Sequence, residues 1–164
     1  MTDPKGLDQL DKAMDSAERL LGLLNDILDL SKIEADRMVF EDLPLQLSES
    51  VNYVMGVLEG KVVQKGLQLV VDLPDGLAGL HLRGDQLRLS QILINLLGNA
   101  AKFTEEGAIT LRVRQIGDSP DAVRVRFQVS DTGIGIDEDA RSRLFNSFEQ
   151  ADNSMTRKYG GTGL

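Results

Sequence analysis

The chain has 164 residues, and its hydrophobic share of 41% is sufficient for a core that, without Trp, must consist mainly of Leu, Ile and Val. Its net charge of −8 argues against general attraction to nucleic acid or anionic lipid. With no Cys, no signal-peptide pattern and no stretch near the roughly 20 apolar residues of a membrane span, we expect a soluble, cytoplasmic chain without membrane contact, even if its parent protein is membrane-attached.

Residues 3–38 are predicted to form one long helix, with Asp3 as cap and Pro4 at its first position. Apolar residues recur every seven positions in two series, Leu7, Met14, Leu21, Leu28 and Leu10, Ala17, Leu24. Further apolar residues widen this stripe beyond a two-stranded seam: Leu20, Leu23, Ile27 and Leu30. We therefore expect a homodimer through residues 3–30, or pairing with a helix that this chain lacks.

A change of pattern near residue 37 indicates a domain boundary, followed by a short strand candidate at 38–42. A second helix is predicted from Ser48, its cap, to Lys65, with Gly66 as its stop. Its apolar side would consist of Val51, Val54, Met55, Leu58, Val62 and Val63. Strands are predicted at 67–73 and 80–83, with a PDG turn between them.

His81 is the single histidine and lies between two leucines in the second of these strands. A lone strand histidine is far more often structural or exposed than catalytic, since no Ser, Cys or metal-ligand partner has sequence support.

Asp85 is predicted to cap a helix that runs to about Lys102. Its apolar face would comprise Leu89, Ile92, Leu93, Leu96, Leu97 and Ala100. Polar residues spaced by three or four form a second stripe, Arg88, Gln91, Asn95, Asn99 and Lys102. A solvated polar face is one interpretation. The other is a site for Mg²⁺ and phosphate, because amide oxygens are hard metal ligands and Lys102 adds positive charge.

Two further strands are predicted, at 108–116 with Ile109, Leu111 and Val113 inward, and at 124–131 after a GDSPD hairpin loop. Alternation with Val125, Phe127 and Val129 puts Asp131 on the core side of its strand. Gly133 and Gly135 follow directly and permit close approach to the main chain. Asp131 therefore either ends the strand in an Asp-Thr-Gly turn, or accepts an exocyclic amine at the floor of a purine pocket.

Residues 137–144 are predicted to form a short helix capped by Asp137, and the following segment has the composition of a lid or of a disordered loop. Near its end Gly160, Gly161 and Gly163 surround Thr162, as a phosphate-binding turn before a helix requires.

The motifs closely resemble those of sensor histidine kinases, especially the hybrid type, which carry the Bergerat-type ATP-binding fold shared with gyrase and Hsp90. NDILDLSKIEADRM resembles the end of the second dimerisation helix, RLSQILINLLGNAAKFT the asparagine box and DTGIGI the first glycine box. LFNSFEQAD resembles the phenylalanine box, and RKYGGTGL the start of the second glycine box. The resemblance covers roughly residues 17–164, and the order and spacing of the motifs make it specific.

The resemblance implies ATP and Mg²⁺ as cofactors. Asp131 would accept the adenine amine, with Gly133 and Gly135 lining the base. Asn99 would ligate Mg²⁺, while Asn95 and Lys102, the catalytic candidates, would contact metal waters and phosphate. Phe145 and Phe148 would anchor the lid. The remaining nucleotide contacts it implies are Ile136, Arg157, Lys158, Tyr159, Gly161, Thr162, Gly163 and Leu164.

The implied fold is α+β, in which residues 1–37 form a long dimerisation helix and 38–164 an incomplete α/β sandwich with a mixed or antiparallel sheet packed on helices. The implied enzyme is a histidine protein kinase that passes the γ-phosphate of ATP to a histidine, with a response-regulator receiver domain as partner. In the family this phosphoaccepting histidine lies on the first dimerisation helix, in a motif of the HELRTP kind, which His81 does not match. The family's domain also continues beyond the second glycine box. We therefore expect a fragment that is not self-sufficient.

Two alternatives remain open. A non-catalytic, dimerising, nucleotide-binding fragment would explain the association surface and the missing acceptor. A hydrolase of the same fold is disfavoured. In the gyrase-like ATPases of this fold, the position of Asn95 resembles that of a glutamate that serves as general base for water, and an amide cannot take that role.

Overall fold

The computed structural model describes residues 4–141. Its helices are α1 (Pro4–Glu34), α2 (Leu47–Gln64), α3 (Asp75–Ala78), α4 (Gln86–Phe103) and α5 (Glu138–Arg141). Its strands are β1 (Leu43–Leu45), β2 (Gln68–Asp72), β3 (Leu82–Gly84), β4 (Ala108–Ser119) and β5 (Ala122–Asp131). The described residues divide into two compact units, one formed by Phe40–Ile136 and the other containing α1 and α5. Within 4–141, no helix combines the length and apolar character that a membrane crossing requires.

Helix α1 confirms the predicted long N-terminal helix, although it ends at Glu34 rather than at residue 38. The chain leaves the helix because Asp36 adopts a left-handed conformation with φ 53°. The predicted cap, Asp3, lies outside the described residues. The heptad residues are solvent-exposed, from 49% for Leu7 to 59% for Leu21. A long apolar stripe of this helix is therefore accessible.

The unit Phe40–Ile136 contains two sheets. A three-stranded sheet has the order β2–β4–β5, with β2 parallel and β5 antiparallel to β4. Strands β1 and β3 form a separate antiparallel pair. This mixed α/β arrangement confirms the α+β fold class.

The core lies between the inner face of the three-stranded sheet and helices α2 and α4. Ile109, Leu111 and Val113 of β4 are at most 1% exposed, as their alternation predicts. Val125, Phe127 and Val129 of β5 pack against this core. From the helices, the core receives Leu47, Val51, Val54, Leu58, Val62, Leu93, Leu97, Ala100 and Ala101.

Three local predictions in the first half of this unit are wrong. Residues 38–42 form no strand, and the strand begins at Leu43, where the chain lies antiparallel to β3. The PDG segment begins the short helix α3 instead of a simple turn. Ser48 does not cap α2, which already begins at Leu47; its hydroxyl instead donates to the carbonyl of Ala78 at 3.3 Å.

The predicted apolar sides of the two long core helices need correction as well. Ile92 and Leu96 of α4 are 58% and 46% exposed, and Val63 of α2 is 69% exposed. The buried stripe of α4 passes through Leu93 and Leu97. Ile92 and Leu96 precede these two residues by one position, which rotates them by about 100° away from the core.

Asp85 caps α4 as predicted, and both of its carboxylate oxygens accept backbone hydrogen bonds. Oδ1 accepts from the Arg88 N–H at 2.9 Å, and Oδ2 accepts from the Glu41 N–H at 3.1 Å. These bonds favour the ionised form, first the one from Arg88 and then the one from Glu41, and hold the pKa of Asp85 below its ordinary value of 3.8. The ionised carboxylate therefore stabilises the fold above that value, and its contribution is lost as the pH falls through the lower folded-state pKa.

We expect Asp85→Asn to preserve most of the folding stability near pH 7, because Asn is an equally good cap. Near pH 3, wild type should lose more of its free energy of unfolding than Asp85→Asn does, because Asn does not titrate. Urea unfolding of both proteins at the two pH values measures this. Asp85→Ala, which lacks a cap at either pH, is the control for capping. If wild type and Asp85→Asn lose the same free energy of unfolding between pH 7 and pH 3, the stabilising role assigned to the ionised Asp85 carboxylate is contradicted.

Candidate functional site

The polar stripe of α4 is accessible along its length. Asn95 and Asn99 are exposed, whereas Lys102 is half-buried with its Nζ 4.9 Å from the Phe103 ring centroid. At the first turns of the helix, the Arg88 guanidinium donates to Gln91 Oε1 at 2.9 Å. The side-chain amides of Asn95 and Asn99 and the ammonium of Lys102 thus lie in succession along the second half of α4.

Asp131 is solvent-exposed, although the strand register places it on the core side of β5, as its parity predicts. It is the last residue of β5 and lies opposite Ile109, near the start of β4, where the sheet ends. Its Oδ1 accepts a hydrogen bond from the Gly133 N–H at 2.9 Å. The carboxylate is therefore oriented by its own turn, and the residue takes part in the Asp-Thr-Gly turn that the sequence allowed.

That turn, residues 131–134, is bound tightly to the end of α4. The Ile134 N–H donates to the Phe103 carbonyl at 3.4 Å. A side-chain carbon at Gly133 would lie only 2.5 Å from the same carbonyl oxygen, a distance that real contacts do not reach. Glycine is thus required here by the close approach of two backbone segments.

Thr132 fixes the same turn to the loop between α4 and β4. Its hydroxyl donates to the Glu106 carbonyl and accepts from the Ala108 N–H, both at 3.1 Å. Its own N–H donates to the Ala108 carbonyl at 3.2 Å. Gly107, with φ 103°, adjoins this hydroxyl, and any side chain there would collide with it. These contacts make the end of α4, the loop and the turn one connected structure.

An open cleft of about 210 Å³ lies at this junction. It is lined by Phe103, Glu105, Glu106, Thr132, Gly133 and Ile134. Among the predicted site residues that fall within residues 4–141, only Gly133 lines this cleft. Glu105, Glu106 and Thr132 were not among the predicted site residues. The two glutamates lie between the asparagine-box and first-glycine-box motifs in sequence, and Thr132 lies within DTGIGI.

The other predicted residues of this segment are accessible. Gly135 has φ 71°, and the space where its side chain would project is open. Ile136 is 60% exposed. His81 is also exposed and lines a separate cleft of about 260 Å³ with residues of β1 and the start of α2.

The remaining predicted site residues lie outside the described part of the chain. They are Phe145, Phe148, Arg157, Lys158, Tyr159, Gly160, Gly161, Thr162, Gly163 and Leu164. Their proposed contacts stay predictions.

Comparison with known proteins matches residues 84–164 to the family of histidine kinase-, DNA gyrase B- and HSP90-like ATPases. The chain is 43% identical over 165 residues to the signal transduction histidine-protein kinase BarA of Escherichia coli (strain K12), covering 98% of this chain and 17% of BarA. The structure of full-length ShkA in complex with AMPPNP superposes with a TM-score of 0.74 at 30% identity, covering all of this chain and 32% of ShkA. The histidine kinase ThkA, in complex with the response regulator protein TrrA, gives a TM-score of 0.61 at 27% identity over 96% of this chain and 45% of ThkA.

The chain therefore belongs to the histidine kinase-, DNA gyrase B- and HSP90-like ATPase family. Within that family, its relatives and structural neighbours are histidine kinases, which confirms the resemblance drawn from the motifs. The chain spans less than a fifth of BarA.

We expect Gly133→Ala to lower the free energy of unfolding by about 1–3 kcal/mol, the usual cost of forcing an extra carbon into a packed position. The added methyl group would collide with the Phe103 carbonyl and push the turn away from α4. Gly60→Ala, in the interior of α2 where the surrounding space is open, is the matched control. It should be neutral or stabilising by about 0.5–1 kcal/mol, because alanine favours helix. Thermal unfolding measures both, and equal stability of the two variants would refute the packing argument.

Proposed function

We propose that this chain binds Mg-ATP and, in the complete protein, serves transfer of the γ-phosphate to a histidine supplied by another segment or chain. In this proposal residues 1–37 belong to a dimerisation domain and residues 38–164 to the ATP-binding domain. The observation that carries it is the binding of the Asp131–Ile134 turn to the end of α4. A carboxylate and a row of amides and an ammonium thereby belong to one compact unit.

Asp131 is the proposed acceptor for the exocyclic amine of adenine. Its Oδ1 is oriented by the Gly133 N–H, so the same carboxylate can present its second oxygen to a ligand. Gly135 and Ile136 leave accessible surface next to it, which suits a flat base. This segment therefore fits the purine end of the nucleotide.

Asn95, Asn99 and Lys102 are the proposed contacts for the phosphate end. Asn99 would ligate Mg²⁺ through its amide oxygen, a hard ligand of the kind that this metal prefers. Asn95 would contact waters of the metal, and the Lys102 ammonium would neutralise phosphate charge. The bound nucleotide supplies the phosphoryl group, and the contribution of the chain is positioning and charge neutralisation.

The residue at position 95 favours transfer to a protein nucleophile over hydrolysis. Activation of water requires a group that can accept its proton, and an amide cannot do so. The proposed acceptor is a histidine outside the ATP-binding domain, and the proposed onward partner is a receiver domain. The structure of ThkA with a response regulator supports this choice of partner by analogy.

We expect Asp131→Asn to weaken Mg-ATP binding by roughly 10- to 150-fold, since a hydrogen bond to a charged group contributes about 1.5–3 kcal/mol. Asn has similar size but presents one acceptor instead of two. Titration calorimetry with Mg-AMPPNP measures the affinity. Asp121→Asn, in the exposed turn between β4 and β5, removes the same charge elsewhere and should bind as wild type does. Identical titration curves for wild type and Asp131→Asn would reject the role of Asp131.

Label transfer separates the kinase from a pure binding module. The chain is mixed with labelled ATP and a separately made, histidine-bearing dimerisation helix. Label on that helix, reduced by Asp131→Asn but not by Asp121→Asn, supports phosphotransfer. Bound nucleotide without label on the helix supports the non-catalytic alternative.

A second candidate, a dimerising nucleotide-binding module, is favoured by the exposed stripe of α1. Its leucines are accessible on the single chain, for example Leu21 at 59% and Leu24 at 55%. Helices with such a face associate to remove it from water. A second copy of the same helix is the proposed partner.

We expect light scattering at tens of micromolar to give about twice the chain mass of 18.0 kDa. Leu21→Glu should return the protein to the monomer, because it places charge within the apolar stripe. Gln9→Glu adds the same charge at a position outside the heptad series and should leave the dimer intact. A monomeric wild type at this concentration would exclude association through α1.

A further inference from the structure

Lys65 connects the end of α2 to the end of α4. Its Nζ donates to the backbone carbonyls of Ala101 at 2.7 Å, Lys102 at 3.1 Å and Thr104 at 3.0 Å. An ammonium has three N–H donors, so these three bonds use its full capacity.

The backbone at Lys65 is held in place by the termination of α2. Lys65 follows the last residue of that helix, and its N–H donates to the Lys61 carbonyl at 3.3 Å. Gly66 then takes φ 66°, and Leu67, which is buried, donates to the Val62 carbonyl at 3.0 Å. These backbone contacts therefore fix the position of the Lys65 Cα, from which the side chain extends.

The carbonyls that Lys65 binds lie on both sides of Phe103. The carbonyl of Phe103 itself accepts from the Ile134 N–H and is the atom that Gly133 approaches closely. Lys65 thus fixes the backbone segment to which the glycine turn is attached. The same segment carries Lys102, the ammonium of the proposed phosphate contacts.

Lys65 also changes the electrostatics of this helix end. The last carbonyls of a helix lack helical partners and carry a partial negative charge equivalent to about half an elementary charge. A negative helix end near the proposed phosphate contacts would oppose an anionic ligand. The ammonium of Lys65 neutralises it from the side of α2.

We infer that Lys65 is a positioning residue for the nucleotide site: without touching the ligand, it fixes the carboxyl end of α4 and, through Phe103, the glycine turn. This inference rests on the proposed binding of Mg-ATP. It predicts that a lysine distant from the site motifs in sequence controls both the order of the turn and the affinity for nucleotide.

The test uses the full 164-residue chain with Lys65→Met, Lys65→Arg and, as matched control, Lys61→Met, an exposed lysine one turn earlier in α2. Hydrogen exchange of the Ile134 amide is measured without nucleotide, and affinity is measured with Mg-AMPPNP. Lys65→Met should speed exchange at Ile134 and weaken binding by about 2- to 30-fold, the usual range for residues that act through others. Compared with Lys65→Met, Lys65→Arg should show slower exchange at Ile134 and tighter nucleotide binding, because it retains the charge but not the three-donor geometry. Lys61→Met should change neither.

The outcomes distinguish this inference from the proposed function. If wild type binds nucleotide and Lys65→Met binds equally well, the inference is overturned and the proposed function stands. If wild type does not bind, the proposed function fails. In that case unchanged exchange at Ile134 in Lys65→Met would also overturn the structural part of the inference, whereas faster exchange would support that part. If Lys65→Met does not fold, Lys65→Gln, which keeps a donor, takes its place. A general loss of thermal stability without selective exchange at Ile134 overturns the positioning role.

Discussion

The backbone carbonyl of Phe103 joins the two parts of the candidate site. It is the carbonyl of the last residue of α4, and the Ile134 N–H donates to it while Gly133 approaches it without a side chain. Thr132 adds bonds to the adjoining loop. Because these contacts join the turn to the backbone of the helix end and its loop, the positions of the Asp131 carboxylate and of the polar stripe of α4 depend on each other. Any change that separates the turn from the helix end should disturb both.

Positive charge is concentrated at the carboxyl end of α4, although the chain as a whole is acidic. The chain carries a net charge of −8, so its average field opposes an anionic ligand. Lys102 on α4 and Lys65 at the end of α2 place two ammonium groups at the same helix end. Lys102 is a proposed phosphate contact, and Lys65 binds the backbone carbonyls of that helix end. In the proposed nucleotide site, this concentration of positive charge offsets the acidic character of the rest of the chain.

The sequence predicted the elements whose patterns are periodic and locally determined. Helix α4 with its Asp85 cap and the alternating strands β4 and β5 are of this kind. The exposure of Ile92 was not predicted, because an apolar count does not fix which stripe of a helix faces the core. The strand near residue 40 was misplaced because a three-residue strand forms only where it finds a partner, here β3. Asp131 lies on the core side of its strand, as parity predicts, but it is exposed, because parity does not show where the sheet ends.

Lys65 shows a different limit of prediction from sequence, which concerns contacts between distant segments. Its contacts join residues 36 to 39 positions apart, and no periodicity or motif within α2 indicates them. The motif resemblance identified histidine kinases as the relatives of this chain, which the comparisons confirm. The roles of individual residues in ligand binding stay predictions, including those of residues beyond 141.

The most direct test of the central claim is a nuclear magnetic resonance titration of the isotope-labelled chain with Mg-AMPPNP. If one nucleotide occupies a site formed jointly by the helix end and the glycine turn, the side-chain amides of Asn95 and Asn99 and the backbone amides of Gly133 and Gly135 should shift together, with one common saturation curve. Shifts confined to the helix or to the turn, or separate saturation of the two groups, would contradict the account.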